Sequence, residues 1–152
     1  MKTVEEIKAI LSSIETNETM YSLLDQTDIP NVKRMMDEAE PWLAARAIFA
    51  LSRLGGDESH NIILRAATDE RSEVRIAVAA SCEILPDAIS DTVLNSLIED
   101  SEPGVKKFAI KSITKTSETR LKEKLRAFSR EETNEPLRRI AEEKILQIYE
   151  EN

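Results

Sequence analysis

The strongest constraint in this 152-residue chain is self-similarity at a fixed spacing. The segment Ser72-Glu73-Val74-Arg75-Ile76-Ala77-Val78-Ala79 recurs as Pro103-Gly104-Val105-Lys106-Lys107-Phe108-Ala109-Ile110. A looser copy follows at Pro136-Leu137-Arg138-Arg139-Ile140-Ala141, and an earlier one reads Pro41-Trp42-Leu43-Ala44-Ala45-Arg46-Ala47. Aligned on Leu43, Val74, Val105 and Leu137, the copies stand 31, 31 and 32 residues apart. A period of roughly 20–50 residues means one supersecondary unit stacked on copies of itself.

Each unit reads as a helical hairpin. The first helices align at the same period through Val32-Lys33-Arg34-Met35-Met36, Ile63-Leu64-Arg65-Ala66-Ala67 and Leu94-Asn95-Ser96-Leu97-Ile98. Their apolar residues fall at helical spacing. The fourth copy is looser, with Leu121, Leu125 and Phe128 on one face. Asp69 to Ser72, Asp100 to Pro103 and Thr133 to Pro136 place capping side chains, then Pro or a polar residue, ahead of each second helix. Gly55-Gly56 ends its helix as a C-cap would. The expected units are 29–54, 57–85, 87–115 and 118–149, in one domain spanning 1–152. Residues 1–27 break the period and are expected to form an N-terminal cap. There Val4, Ile7, Ile10, Leu11 and Ile14 suggest one amphipathic helix, and Met20, Tyr21, Leu23 and Leu24 a shorter one. The final helix, running to Asn152, is expected to cap the other end.

Composition narrows the function. A chain of this length buries roughly 70% of its unfolded surface and needs no disulfide or metal to fold. The net charge is −8, which disfavours phosphate backbones and anionic membrane surfaces. It favours a partner with basic or apolar surface. The single cysteine, Cys82, excludes an intrachain disulfide and a Cys-rich metal site. No secretory signal follows Met1, and no stretch approaches 18 apolar residues. The expectation is a cytoplasmic protein.

The unit resembles the HEAT-repeat family, most closely the short HEAT-like repeats also seen in phycobilisome lyases. Asp100, Pro103, Val105, Lys106, Ala109, Ser112 and Ile113 carry the pattern, as do Asp69, Val74, Arg75, Val78, Ser81 and Cys82 one copy earlier. Ala44 stands where the pattern has Arg, Val78 where it has a small Ala, and Lys144 where it has a small buried residue. The resemblance implies an all-α fold, an α-solenoid of about four HEAT-like hairpins with an N-terminal helical cap. It also implies a ladder between neighbouring repeats, joining Asp69, Asp100 and Glu131 to Arg75, Lys106 and Arg138. Such families mostly act as scaffolds and adaptors that bind partners on the concave face of the second helices. A subset are lyases or isomerases for bilin chromophores.

Positions where the copies differ are the ones that carry individual function. On the non-core face of the second helices stand Trp42, Ala45 and Phe49, then Glu73, Ile76, Ala80 and Glu83. Gly104, Lys107, Lys111 and Thr114 follow, then Arg139 and Glu143. Trp42, Phe49 and Ile76 suit apolar anchors at an interface. Alternatively, residues 1–27 fold over Trp42 and Phe49 and bury them as core. Lys107, Lys111 and Arg139 suit an acidic partner or a phosphate, or are a solvated face. His60, near Asp57 and Ser59 at a helix start, is poorly placed for a triad. Cys82 occupies a Leu position and reads as a small buried hydrophobe. In the last helix Leu137, Ile140, Ala141, Ile145 and Ile148 are expected to face inward, with Leu146 and Tyr149 off that stripe, either as a self-association or docking surface or as the edge of a wide apolar face on an amphipathic end helix. The expected function is a non-enzymatic scaffold for a protein or peptide, without cofactor or metal. A bilin lyase or isomerase subunit is the alternative, and nucleic-acid binding is further still.

Overall fold

The structure, a computed structural model, describes residues 1–14 and 16–150, the last without its side chain. Among the described residues the chain forms ten α-helices and one 3-10 turn, with no strand. No described helix is long and apolar enough to cross a membrane. Backbone contacts divide the chain into two compact units, Met1–Val78 and Ala79–Asn152.

In the first unit, α1 (Val4–Leu11) begins with a reciprocal cap. Thr3 Oγ1 accepts the Glu6 N–H at 3.1 Å, and Glu6 Oε1 accepts the Thr3 N–H at 3.4 Å. Ile7 and Leu11, one turn apart, are fully buried. The expected helix through Ile14 is corrected: α1 stops at Leu11 and Ile14 is 97% exposed. Ser12 Oγ donates back to the Lys8 carbonyl at 2.6 Å, and Arg46 Nη1 donates to the Leu11 and Ser13 carbonyls at 2.8 and 2.5 Å. The Lys8 carbonyl also accepts the Ser12 N–H at 3.0 Å, while the Leu11 carbonyl, which a further helical turn would have paired, is met by a side chain.

Helix α2 (Glu18–Tyr21) is capped by Asn17, whose Oδ1 accepts the Met20 N–H at 2.9 Å. Met20, Tyr21 and Leu24 are buried, while Leu23 departs from the expected apolar set at 55% exposed. The 3-10 turn, Gln26–Asp28, leads into α3 (Ile29–Glu38). Asp28 is fully buried and fastens the start of the chain. Its carboxylate accepts the N–H groups of Lys2 and Asp25 at 2.6 and 2.9 Å and the Lys2 ammonium at 3.4 Å. Burial pushes the Asp28 carboxyl up, but these donors prevail and hold it below the usual carboxylate range.

Helix α4 (Pro41–Leu54) opens on a proline whose missing N–H costs nothing in the first turn. It buries Leu43, Ala44, Ala47, Ile48, Ala50 and Leu51. It stops at Gly55, where φ is 67° and ψ −167°, a backbone region essentially confined to glycine. Helices α5 (Gly56–Ala66) and α6 (Ser72–Ser81) follow, the division between units falling inside α6. Helix α3 packs against α1, α4 and α5, and α4 also against α1 and α5.

The second unit holds α7 (Asp87–Leu97), α8 (Pro103–Ser112), α9 (Thr119–Glu131) and α10 (Glu135–Glu150). Helix α7 packs on α8 and α9, and α10 on α8 and α9. Val93, Leu94, Leu97, Val105, Ile110, Leu121, Leu125 and Ala141 form its centre. Of the residues expected to face inward on α10, Leu137, Ala141 and Ile148 are buried, while Ile140 and Ile145 are half-buried. Leu146 and Tyr149 are exposed, with the Arg126 guanidinium 4.2 Å over the Tyr149 ring. The expected end of this helix, Asn152, lies outside the described residues.

One bonding device recurs in both units. Side chains reach carbonyls at the C-terminal ends of helices about one sequence period away. Arg71 Nη1 donates to the Met36 and Ala39 carbonyls at 3.1 and 3.3 Å. Gln26 Nε2 donates to the Leu54 carbonyl, Lys124 Nζ to that of Asn95 at 2.8 Å, and Lys144 Nζ to that of Lys111 at 2.8 Å. Ser112 Oγ, buried, donates to the Ala79 carbonyl at 2.7 Å. The Ala79 carbonyl also accepts the Cys82 N–H at 3.3 Å, while the other bonds meet acceptors at helix ends that helix geometry leaves unpaired.

Candidate functional site

The first unit carries an apolar groove of about 390 Å³. Helix α4 supplies Trp42, Ala45, Arg46 and Phe49, α6 supplies Glu73, Ile76 and Ala77, and the N-terminal segment supplies Thr16 and Tyr21. The spacing explains the α4 set: residues 42, 45, 46 and 49 fall on one stripe of a helix whose opposite stripe is buried. The expected anchors Trp42, Phe49 and Ile76 are thus brought together. Its volume falls within the usual range for a binding cleft, roughly 300–1,000 Å³.

The N-terminal segment does not bury these anchors as core. It forms one wall and leaves Trp42 47% exposed, with Phe49 and Ile76 half-buried. Two arginines one heptad apart on α4 hold that wall. Arg46 makes the carbonyl bonds described above and sits 5.1 Å from the centre of the Trp42 ring. Arg53 makes a forked pair with Glu18, its Nη2 at 2.7 Å and Nε at 2.8 Å from the two carboxylate oxygens. The same guanidinium lies 4.3 Å over the Tyr21 ring. Hydrogen bonding from Arg53 holds the Glu18 carboxyl below its usual range, and burial raises the Tyr21 hydroxyl against the pull of Arg53 and Arg46. Trp42 is oriented by its indole N–H, which donates to Glu40 Oε2 at 2.8 Å.

The expected basic residues belong to the second unit and are not gathered on one cleft. Lys111 lines a groove of about 380 Å³ with Glu83, Ile140, Glu143, Lys144 and Gln147. Arg139 lines another, of about 480 Å³, with Glu135, Pro136, Ile140 and Glu143, and is already paired with Glu135 at 2.6 Å. Lys107 and Lys111 flank Phe108, their ammonium groups 5.9 and 5.8 Å from the ring centre. Burial pushes the Lys144 ammonium below the usual lysine range, with Glu83 opposing.

The residues of the expected charge ladder lie as follows. Arg75 Nη1 donates to the Asp69 and Glu70 carbonyls at 2.8 and 3.1 Å, while the Asp69 carboxylate holds Arg71 in a forked pair at 2.9 Å. Lys106 reaches Glu132 at 3.6 Å, the neighbour of Glu131, and Arg138 pairs with Glu142 at 3.6 Å. Asp100 Oδ1 accepts the Glu102 N–H at 2.9 Å. Sequence reading missed the roles of Arg71, Arg46 and Arg53. Apart from the Asp69 carboxylate, which pairs with Arg71, their partners are backbone carbonyls or sit in the aperiodic segment, and neither leaves a mark in the repeat pattern.

From the sequence, Cys82 is expected as a small buried hydrophobe and His60 as poorly placed for a triad. The Cys82 thiol is buried, which pushes its pKa up to about 12, so it stays protonated at neutral pH. His60 is half-buried on α5, and among the described residues no hydrogen bond joins it to Asp57 or Ser59. Among the described residues no group of three His, Cys, Asp or Glu side chains is arranged to hold a metal. Compared with known proteins, the chain matches no family model, no curated protein and no solved structure.

Proposed function

We propose that this chain is a non-enzymatic scaffold or adaptor of HEAT-like repeats, an α-solenoid, that holds a protein or peptide partner against the groove of Trp42, Phe49 and Ile76. One observation carries the reading. The chain's single tryptophan stands 47% exposed beside half-buried Phe49 and Ile76, in a groove where the copies otherwise differ. Exposed aromatic side chains in a preformed apolar cleft are what interfaces use as anchors. The solenoid part is supported by the approximately 31-residue spacing and by the packing of alternate helices, α1 on α3, α3 on α5, α7 on α9 and α8 on α10. Lys107, Lys111 and Arg139 supply a separate means of selecting acidic groups on the same or another partner.

The test is affinity capture from lysate of the source organism by wild type and by Ile76→Glu, with helicity and thermal unfolding checked for both. A folded Ile76→Glu variant that no longer captures a wild-type partner supports the groove. Anchor losses of this kind cost roughly 2 kcal/mol or more, about thirtyfold in affinity. Equal capture by both proteins would remove the groove from the account.

A further inference from the structure

The rim of the groove restricts what it holds, and the inference rests on the binding reading above. Its floor is apolar, but two carboxylates border the anchors. Glu40 accepts the Trp42 indole N–H at 2.8 Å, and Glu73 accepts the Ser72 hydroxyl at 3.1 Å. Neither forms an ion pair among the described residues, whereas other carboxylates of this unit do. Glu18 is held by Arg53, Asp37 by Lys33 and Asp69 by Arg71. Arg46, the cation inside the groove, spends Nη1 on the Leu11 and Ser13 carbonyls. The first unit as a whole carries fourteen acidic residues against nine basic ones, so its field reinforces these two carboxylates.

We infer that the groove takes a peptide segment with a large apolar side chain flanked by Lys or Arg, the apolar group seated on Trp42, Phe49 and Ile76 and the cation paired with Glu40 or Glu73. An acidic flank would bring like charges together at the rim, which costs affinity and slows encounter. A basic flank gains from these carboxylates without breaking an existing ion pair. One face of the Trp42 ring already carries Arg46, whose positive charge disfavours a second cation on the indole relative to the carboxylates.

Trp42 is the only tryptophan, so its emission reports the groove directly. The experiment pans a random-sequence peptide library on the full chain. Selected peptides are then synthesised and titrated while Trp42 emission is read, against wild type, Ile76→Glu and Glu40→Gln/Glu73→Gln. The expected peptides carry an aromatic or large aliphatic residue next to Lys or Arg. They shift Trp42 emission, fail on Ile76→Glu, and bind about fivefold more weakly to Glu40→Gln/Glu73→Gln. Selected peptides that shift Trp42 and need Ile76 but show no basic preference would overturn the charge assignment while leaving the binding groove standing. A Trp42 emission that shifts with concentration of the chain alone would mean that a second copy fills the groove, and would also overturn it. If no selected peptide shifts Trp42, both the groove reading and the inference fall.

Discussion

The two units bury their cores in the same way and differ in what they leave outside. Helix α4 in the first unit and α8 in the second both place small and branched residues inward, Ala47 with Ile48 and Ala109 with Ile110. Both units also use side chains to close helix C-termini about one period away, Arg71 to Met36 in one and Lys144 to Lys111 in the other. The outer faces diverge. The groove of the first unit is lined by Tyr21, Trp42, Phe49 and Ile76, and its arginines are already engaged with the N-terminal segment. The clefts of the second unit that hold Lys111 and Arg139 are lined largely by Glu, Lys and Arg side chains. Packing is common to the copies, whereas surface chemistry is individual. That separation is why the copies locate the core and the departures from them locate the candidate site.

The largest effects are expected where the units agree. Ile48→Ala and Ile110→Ala each remove a fully buried side chain and should cost about 2–5 kcal/mol in denaturant unfolding. Similar losses would support equivalent packing, and a loss under about 1 kcal/mol in one unit would break the comparison.

A difference confined to the first unit comes next. Asp28→Asn weakens the acceptor for the Lys2 and Asp25 N–H groups and should cost about 1–3 kcal/mol at neutral pH. Because the folded-state pKa of Asp28 is depressed, its contribution is present above the unfolded pKa and is lost as pH falls through the folded value. Wild type should therefore converge on the variant in acid, as read by hydrogen exchange of the α1 amides. A gap that persists below the carboxylate range would refute the assignment. Gly55→Ala forces a side chain into a backbone region essentially confined to glycine and should cost about 1–3 kcal/mol in thermal unfolding.

The smallest effect sharpens the contrast between surfaces. Lys107→Glu with Lys111→Glu should change stability by about 0.5 kcal/mol or less per site, since neither side chain is buried. A larger loss would mean that these lysines belong to the packing of the second unit.

Much of the helical architecture was legible in the sequence. Apolar residues at i, i+3 and i+4 mark α3, α5 and α7, Pro41 and Pro103 mark helix starts, and Gly55 marks the break between α4 and α5. The end of α1 was not legible, because an apolar Ile14 matches helical spacing while Arg46, thirty-odd residues on, captures the carbonyls that end the helix. The site was half legible. Trp42, Phe49 and Ile76 stood out because they interrupt a pattern. Tyr21 and Thr16 did not, since the segment bearing them has no period and its path is set by Arg53 and Asp28. Nor was it legible that this segment would flank Trp42 and not cover it. That outcome depends on where two arginines find carbonyl and carboxylate partners.

The most direct test of the central claim is site-specific photo-crosslinking. A photoreactive amino acid is placed at Ala45, between Trp42 and Phe49 on the groove floor, and in a second protein at exposed Asn61 on α5. The account predicts a partner crosslinked from Ala45, absent from Asn61, and lost when Ile76→Glu is added to the Ala45 probe. The same partner crosslinked equally from both positions, or from Asn61 alone, would contradict it.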